Sequence, residues 1–249
     1  MRFGDTTLGG AGGSFPSTHW SEVQAAQDPS QPGYRDRLDA LVRTYWKPAY
    51  AYIRASWKKS NEDAKDLTQA FFAHLLQNGR IAPPRKEGGR FRSYLKQALK
   101  NFLIDAHRSA EVRKAIQPAA VLEAHAVSVH PDPDRAFDRE WLSCLLESAL
   151  SSLEADLKKE GKGVYFEVFR TYLLDPAEGR EVTVATQSGE IVLPTYQTVG
   201  RRLGVRESDV RNYLTQCRTR LREILRTEIR QTLEDADEAE DELRSLLAV

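Results

Sequence analysis

Cysteine is scarce in this chain. Its 249 residues hold two, Cys144 and Cys217, far apart and outside any Cys-x-x-Cys or Cys/His spacing. A disulfide framework and a structural zinc site are therefore not what organises it. Long apolar runs are missing too: none approaches the roughly 20 residues needed to cross a bilayer. The Gly-rich start, MRFGDTTLGGAGGSFPS, lacks the apolar core of a secretory signal. The cytoplasm is the expected location, with no membrane partner. Strand signals are almost absent. Only EVTVATQSGEIVLP, residues 181–194, alternates β-branched residues around a Ser-Gly turn, which suggests a short β-hairpin or extended insertion. Net charge is absent as well, with 36 basic against 36 acidic residues. What remains is an ordinary folded composition, 41% hydrophobic, 9% aromatic and 29% charged.

The zero net charge hides an uneven distribution. Residues 85–114 carry nine Lys/Arg against three acids, and residues 196–230 carry nine Arg against four. Residues 231–249 reverse the sign, with seven acids and one Arg. Two basic segments and one acidic tail cancel in the sum. Basic segments of this kind suit nucleic acid, although solvated helix faces carry similar charge.

Helical periodicity dominates the chain, so the expected fold class is all-α. Ser17/Thr18 are placed to cap a short helix, with Glu22 near its first turn. A second helix is expected from Tyr34 to Trp57, kinked or interrupted at Pro48. A third follows Asn61 as cap and runs to Asn78-Gly79. GRIAPPRKEGGR must be a loop, and a long fourth helix spans Phe91 to Ala115. Pro118, Pro131 and Pro133 mark a linker; beyond it Arg135–Lys159 and Val164–Leu174 read as helices. The expected organisation is a flexible start at 1–16, a helical domain at 17–115, a linker at 116–134, a second helical domain at 135–230 and an acidic tail at 231–249. The tail is either a solvated end or a cover for a basic face, with Leu243, Leu246 and Leu247 as anchors.

Two helices divide apolar from basic. In the first, Phe91, Leu95, Ala98, Leu99, Phe102 and Ala106 share one side, and Arg92, Lys96, Lys100, His107 and Lys114 form a stripe on the other. Tyr94 sits near the edge, either half-buried or able to stack on an unpaired base. The second lies within TYQTVGRRLGVRESDVRNYLTQCRTRLREIL, which reads as a helix-turn-helix. Gly204 ends the first helix and Val205 plugs the turn. Val210, Leu214, Cys217, Leu221 and Ile224 form a buried face. Arg211, Asn212, Thr215, Arg218, Thr219 and Arg222 face outward, as a recognition helix in the major groove requires.

Three collinear stretches carry a resemblance. EDAKDLTQAFFAHLL resembles the Asp-x-x-Asp-Leu-x-Gln signature with which bacterial sigma factors dock on RNA polymerase. FRSYLKQALKNFLIDAHR resembles the family's next signature, matching at Tyr94-Leu95, Asn101, Asp105 and Arg108. The helix-turn-helix looks like its C-terminal promoter-reading domain, and the spacing is that of the extracytoplasmic-function (ECF) group. The resemblance covers about Ser17 to Leu247. It implies that residues 17–115 are sigma domain two and 135–230 sigma domain four, with core RNA polymerase and promoter DNA as partners. An anti-sigma factor or other regulator is a further partner that it allows. Residue by residue, it implies polymerase docking through Asp63, Asp66 and Gln69. Contacts to the minus-ten region fall to Arg92, Tyr94, Lys96, Lys100, Asn101, Asp105 and Arg108. Arg85 and Lys86 occupy the loop where the family captures a flipped-out base. Arg211, Asn212, Thr215, Arg218 and Arg222 fall to the minus-thirty-five region. The chain departs from the pattern at Ala70, where Glu is usual, at Arg206, where a Ser/Thr cap is usual, and at Thr198, where Glu is frequent. The Pro-Pro loop is longer than usual, and residues 181–194 look inserted.

Other readings stand beside this one. A helix-turn-helix regulator acting without polymerase explains the second domain and leaves the first domain's signatures unused. An enzyme using Asp63 and Asp66 to hold Mg²⁺ would need further convergent carboxylates or a Gly-rich cradle, and neither is in the sequence. A pure interaction module such as an anti-sigma protein would carry a His/Cys signature in one of its classes, and that too is missing. No cofactor and no catalysis are expected.

Overall fold

The computed structural model describes residues 32–56, 60–77, 91–116, 132–174, 182–186 and 189–232. These are mostly helical: α1 Tyr34–Ser56, α2 Asn61–Gln77, α3 Phe91–Ile116, α4 Pro133–Lys159, α5 Gly163–Phe169, α6 Tyr196–Leu203 and α7 Glu207–Gln231. The expected Val164–Leu174 helix is α5 followed by a π-helical turn, Arg170–Leu174. Two strands, β1 Val182–Thr186 and β2 Gly189–Leu193, pair antiparallel with Val182 opposite Leu193 and Thr186 opposite Gly189. The expected helix at Ser17, the Pro-Pro loop with Arg85 and Lys86, most of the 116–134 linker and the acidic tail beyond Thr232 lie outside the described residues.

The chain divides into two compact units, Met1–Leu145 with Glu228–Val249, and Leu146–Thr227. The division falls inside α4, not at residue 135 as the proline spacing suggests. The reason is hydrophobic. Phe137 and Trp141, on the first half of α4, are 0% and 1% exposed. Phe137 stacks on Tyr45 at 6.4 Å and meets Tyr52 edge-on at 6.5 Å. Burying such rings stabilises by roughly 1.5–3 kcal/mol each, with more from the aromatic geometry.

In the first unit, α1 packs on α2. Leu41, Tyr45, Ile53, Phe71, Leu95 and Leu99 are among its buried residues. Tyr45 meets Phe91 edge-on at 5.1 Å, and Phe71 meets Phe102 at 5.6 Å. Pro48 does not interrupt α1, which is continuous across it. Its ring is buried, and only the N–H that would reach residue 44 is missing. The cap of α2 also differs from expectation. Ser60 Oγ accepts from the Asp63 N–H at 3.1 Å, while Asn61 Oδ1 accepts from the Tyr50 hydroxyl. Serine one position earlier takes the capping role, and Asn61 ties α2 to α1. Ile229, in the last turns of α7, is fully buried.

The second unit is built around Leu153, Leu157, Phe166, Phe169, Val210 and Leu214, with Val205 packed against them. Thr195 caps α6, its Oγ accepting from the Thr198 N–H at 3.1 Å. The two hydroxyls also bond to each other at 2.8 Å, which ties the Thr198 side chain to the cap. Gly204 ends α6 with φ +68, a left-handed conformation costly for any residue with a Cβ. The Val205 N–H then returns to the Gly200 carbonyl at 3.0 Å. Gly200 permits this approach, since a Cβ there would lie 2.7 Å from the Val205 carbonyl oxygen. α7 opens on the Arg206 carbonyl, which accepts from Asp209 and Val210. With no side-chain acceptor at Arg206, Glu207 and Asp209 supply negative charge to its first turn.

Candidate functional site

The outer surface of α2 follows from its buried one. Ala64, Thr68, Phe71, Phe72 and Leu75 are buried, which leaves Asp63, Asp66 and Gln69 exposed at three-residue intervals on the opposite side. Ala70 is exposed beside them. Glu62 and Asp63 also sit in the first turn, where acids favour the helix dipole.

On α3 the expected stripe divides. Lys100, Asn101, Asp105 and Arg108 are exposed, and Gln97 donates to Asn101 Oδ1 at 3.0 Å. Ile104 stands among them, 43% exposed. Tyr94 is half-buried, its ring 6.2 Å from that of Phe91. Arg92 and Lys96 depart from expectation: they turn toward α4 instead of solvent. Asp138 Oδ1 lies 3.1 Å from Arg92 Nε, and Asp138 Oδ2 lies 2.9 Å from Lys96 Nζ. The Arg92 guanidinium also sits 5.0 Å over the Trp141 ring. The buried arc of α3 explains this, because it runs through Phe91, Leu95, Leu99 and Leu103. Ala98, Phe102 and Ala106, expected on the buried face, are only half-buried. The sequence reading missed Phe137, Asp138 and Trp141. The i, i+4 spacing of Phe137 and Trp141 was the available signal, though it does not say against what they pack.

On α7, Arg211, Asn212, Thr215, Arg218 and Arg222 are all exposed. Val210, Leu214 and Cys217 are buried behind them, with Leu221 and Ile224 half-buried. The Thr215 hydroxyl donates back to the Arg211 carbonyl at 3.0 Å, leaving its lone pairs outward. Arg220, to one side of this face, is held elsewhere: its Nη1 lies 2.7 Å from Glu160 Oε1, while Lys162 lies 2.8 Å from Glu160 Oε2. These two partners hold the Glu160 carboxyl down at about 2 through their hydrogen bonds. Cys217 is packing: its thiol reaches the Tyr165 carbonyl, and burial pushes it up to about 11.

Among the described residues, no group of three or more His, Cys, Asp or Glu is placed to hold a metal ion. Among those residues, too, no helix is long and apolar enough to cross a membrane. Chemically, α2 offers an acidic-amide face and α3 a mixed polar face in the first unit, and α7 an arginine-rich face in the second. No protein-family model matches the chain, and no curated protein or solved structure matches it.

Proposed function

We propose that this chain is a sigma factor of the ECF group: it binds core RNA polymerase, carries it to specific promoters and promotes DNA opening. The observation that carries this reading is the exposure of the whole α7 set. Arg211, Asn212, Thr215, Arg218 and Arg222 all face solvent on a helix that a three-residue turn joins to a short first helix. Arginine forks and an amide on one face suit guanine and adenine edges in the major groove, and phosphates on either side. The exposed Asp63, Asp66 and Gln69 suit a docking face for polymerase. Asn101, Asp105 and Arg108 suit contacts to the minus-ten element. In this reading Arg92 and Lys96 hold α4 and leave the minus-ten set.

A regulator acting on duplex DNA without polymerase draws on the same α7 face, and the withdrawal of Arg92 and Lys96 favours it relative to the sequence reading. Co-purification with core polymerase separates the two. Retention of the wild-type chain, weakened by Asp63→Ala with Asp66→Ala, supports the sigma reading. A chain that binds duplex DNA and never binds core supports the regulator.

A further inference from the structure

Two tyrosines outside the reading face stand against it. Tyr196, the first residue of α6, is half-buried, and the Arg211 guanidinium carbon lies 5.8 Å from its ring centroid. That is within reach of a cation–π contact. Tyr172, from the π-helical turn, meets Tyr196 with ring centroids 5.3 Å apart and planes tilted by 45°. Burial pushes the Tyr172 phenol up, and the neighbouring Tyr196 adds to this. Arg218, two turns beyond Arg211 on α7, pulls it the other way. The Tyr196 ring thus lies beside one of the exposed arginines of this face.

We propose that Tyr196, backed by Tyr172, is a positioning residue for base reading: its ring holds the Arg211 side chain in the orientation in which it meets a base edge. This rests on the reading that α7 enters the major groove of duplex DNA. A long arginine loses rotamer freedom when it forks onto a base, and a ring contact formed beforehand removes part of that loss. The Tyr172 ring, 5.3 Å away, packs against the Tyr196 ring from behind. Phenylalanine keeps the ring and loses the hydroxyl; leucine loses both.

The test binds full-length protein to a randomised duplex DNA library and sequences the bound fraction. The variants are Tyr196→Phe, Tyr196→Leu, Arg211→Ala and the double Tyr196→Leu/Arg211→Ala. Arg211→Ala should flatten preference at one or two adjacent base positions. Tyr196→Leu should weaken preference at those same positions roughly two- to fivefold. Tyr196→Phe should restore most of it, and the double variant should be no flatter than Arg211→Ala alone. Full preference in Tyr196→Leu, loss at other positions, or additive loss in the double variant overturns the proposal. If Tyr196→Leu does not fold, the wild-type Arg211 δ and ε protons decide: ring-current shifts relative to those of Arg222 support the contact, and their absence overturns it. A wild type that enriches no motif removes DNA reading itself, and this proposal with it. A motif that Tyr196→Leu leaves unchanged removes only the Tyr196 role.

Discussion

Arg92 Nε and Asp138 Oδ1 stand 3.1 Å apart, with their side chains only 8% and 14% exposed. The pair joins a helix whose charges suggest DNA to a helix that the prolines assign to another domain. Lys96 closes on the same carboxylate, and the Trp141 ring lies beneath the Arg92 guanidinium. Two cations counted toward a nucleic-acid surface are therefore structural, and the first half of α4 is part of the first unit.

Asp138→Ala should destabilise the first unit by about 3–5 kcal/mol, because it leaves a nearly buried guanidinium without its carboxylate. Asp132→Asn is the comparison. Asp132 is exposed and only 3.9 Å from Arg135, and asparagine keeps its cap on the Asp134 N–H. It should shift stability by no more than about 0.5 kcal/mol. Urea unfolding followed by tryptophan fluorescence measures both.

The turn between α6 and α7 makes two demands on glycine that substitution separates. Gly204→Ala should cost about 1–2 kcal/mol, since nothing crowds the new methyl and only the positive φ is strained. Gly200→Ala should cost more, because its methyl meets the Val205 carbonyl and the backbone of the turn must move. Thermal unfolding of the two variants should rank them in that order.

Glu160 gives the second unit a defined acid sensitivity. Its folded value, about 2, is below the ordinary 4.5, so its bridge to Arg220 stabilises the folded state above pH 4.5. That contribution declines as pH falls from 4.5 toward 2, where the unfolded chain binds the proton first. The melting-temperature difference between wild type and Glu160→Gln should be constant above pH 5 and should shrink steadily below it. A difference that grows on acidification contradicts the assignment.

Neither thiol should react readily in the folded protein. Cys144 and Cys217 are both buried, and at about 11 the Cys217 thiol carries little thiolate at pH 8. Ellman's reagent should titrate both at once in guanidinium and develop little colour without it.

The helices were legible because apolar residues recur at helical intervals, as at Ala64, Phe71, Phe72 and Leu75 in α2. The turn was legible because Gly204 and Val205 announce themselves locally. The inward course of Arg92 was not. At about 100° per residue it falls between Leu99 and Leu103 on the wheel, yet its charge suggests solvent. Asp138 and Trp141, far along the chain, help to make that position tolerable. The cap of α2 was misplaced by one residue because Ser60 and Asn61 are both good caps, and the Tyr50 hydroxyl decides between them. The tyrosines beside Arg211 belong to three separate segments with α7, a meeting that no local pattern contains.

The central claim is that this chain directs core RNA polymerase to promoters. Run-off transcription with purified core polymerase, the full-length chain and fragmented genomic DNA, with start sites mapped, tests it most directly. The account predicts discrete start sites that appear only with the chain present, share an upstream motif and fade with Arg211→Ala. Core polymerase that neither retains the chain nor gains a single start site from it would contradict the account.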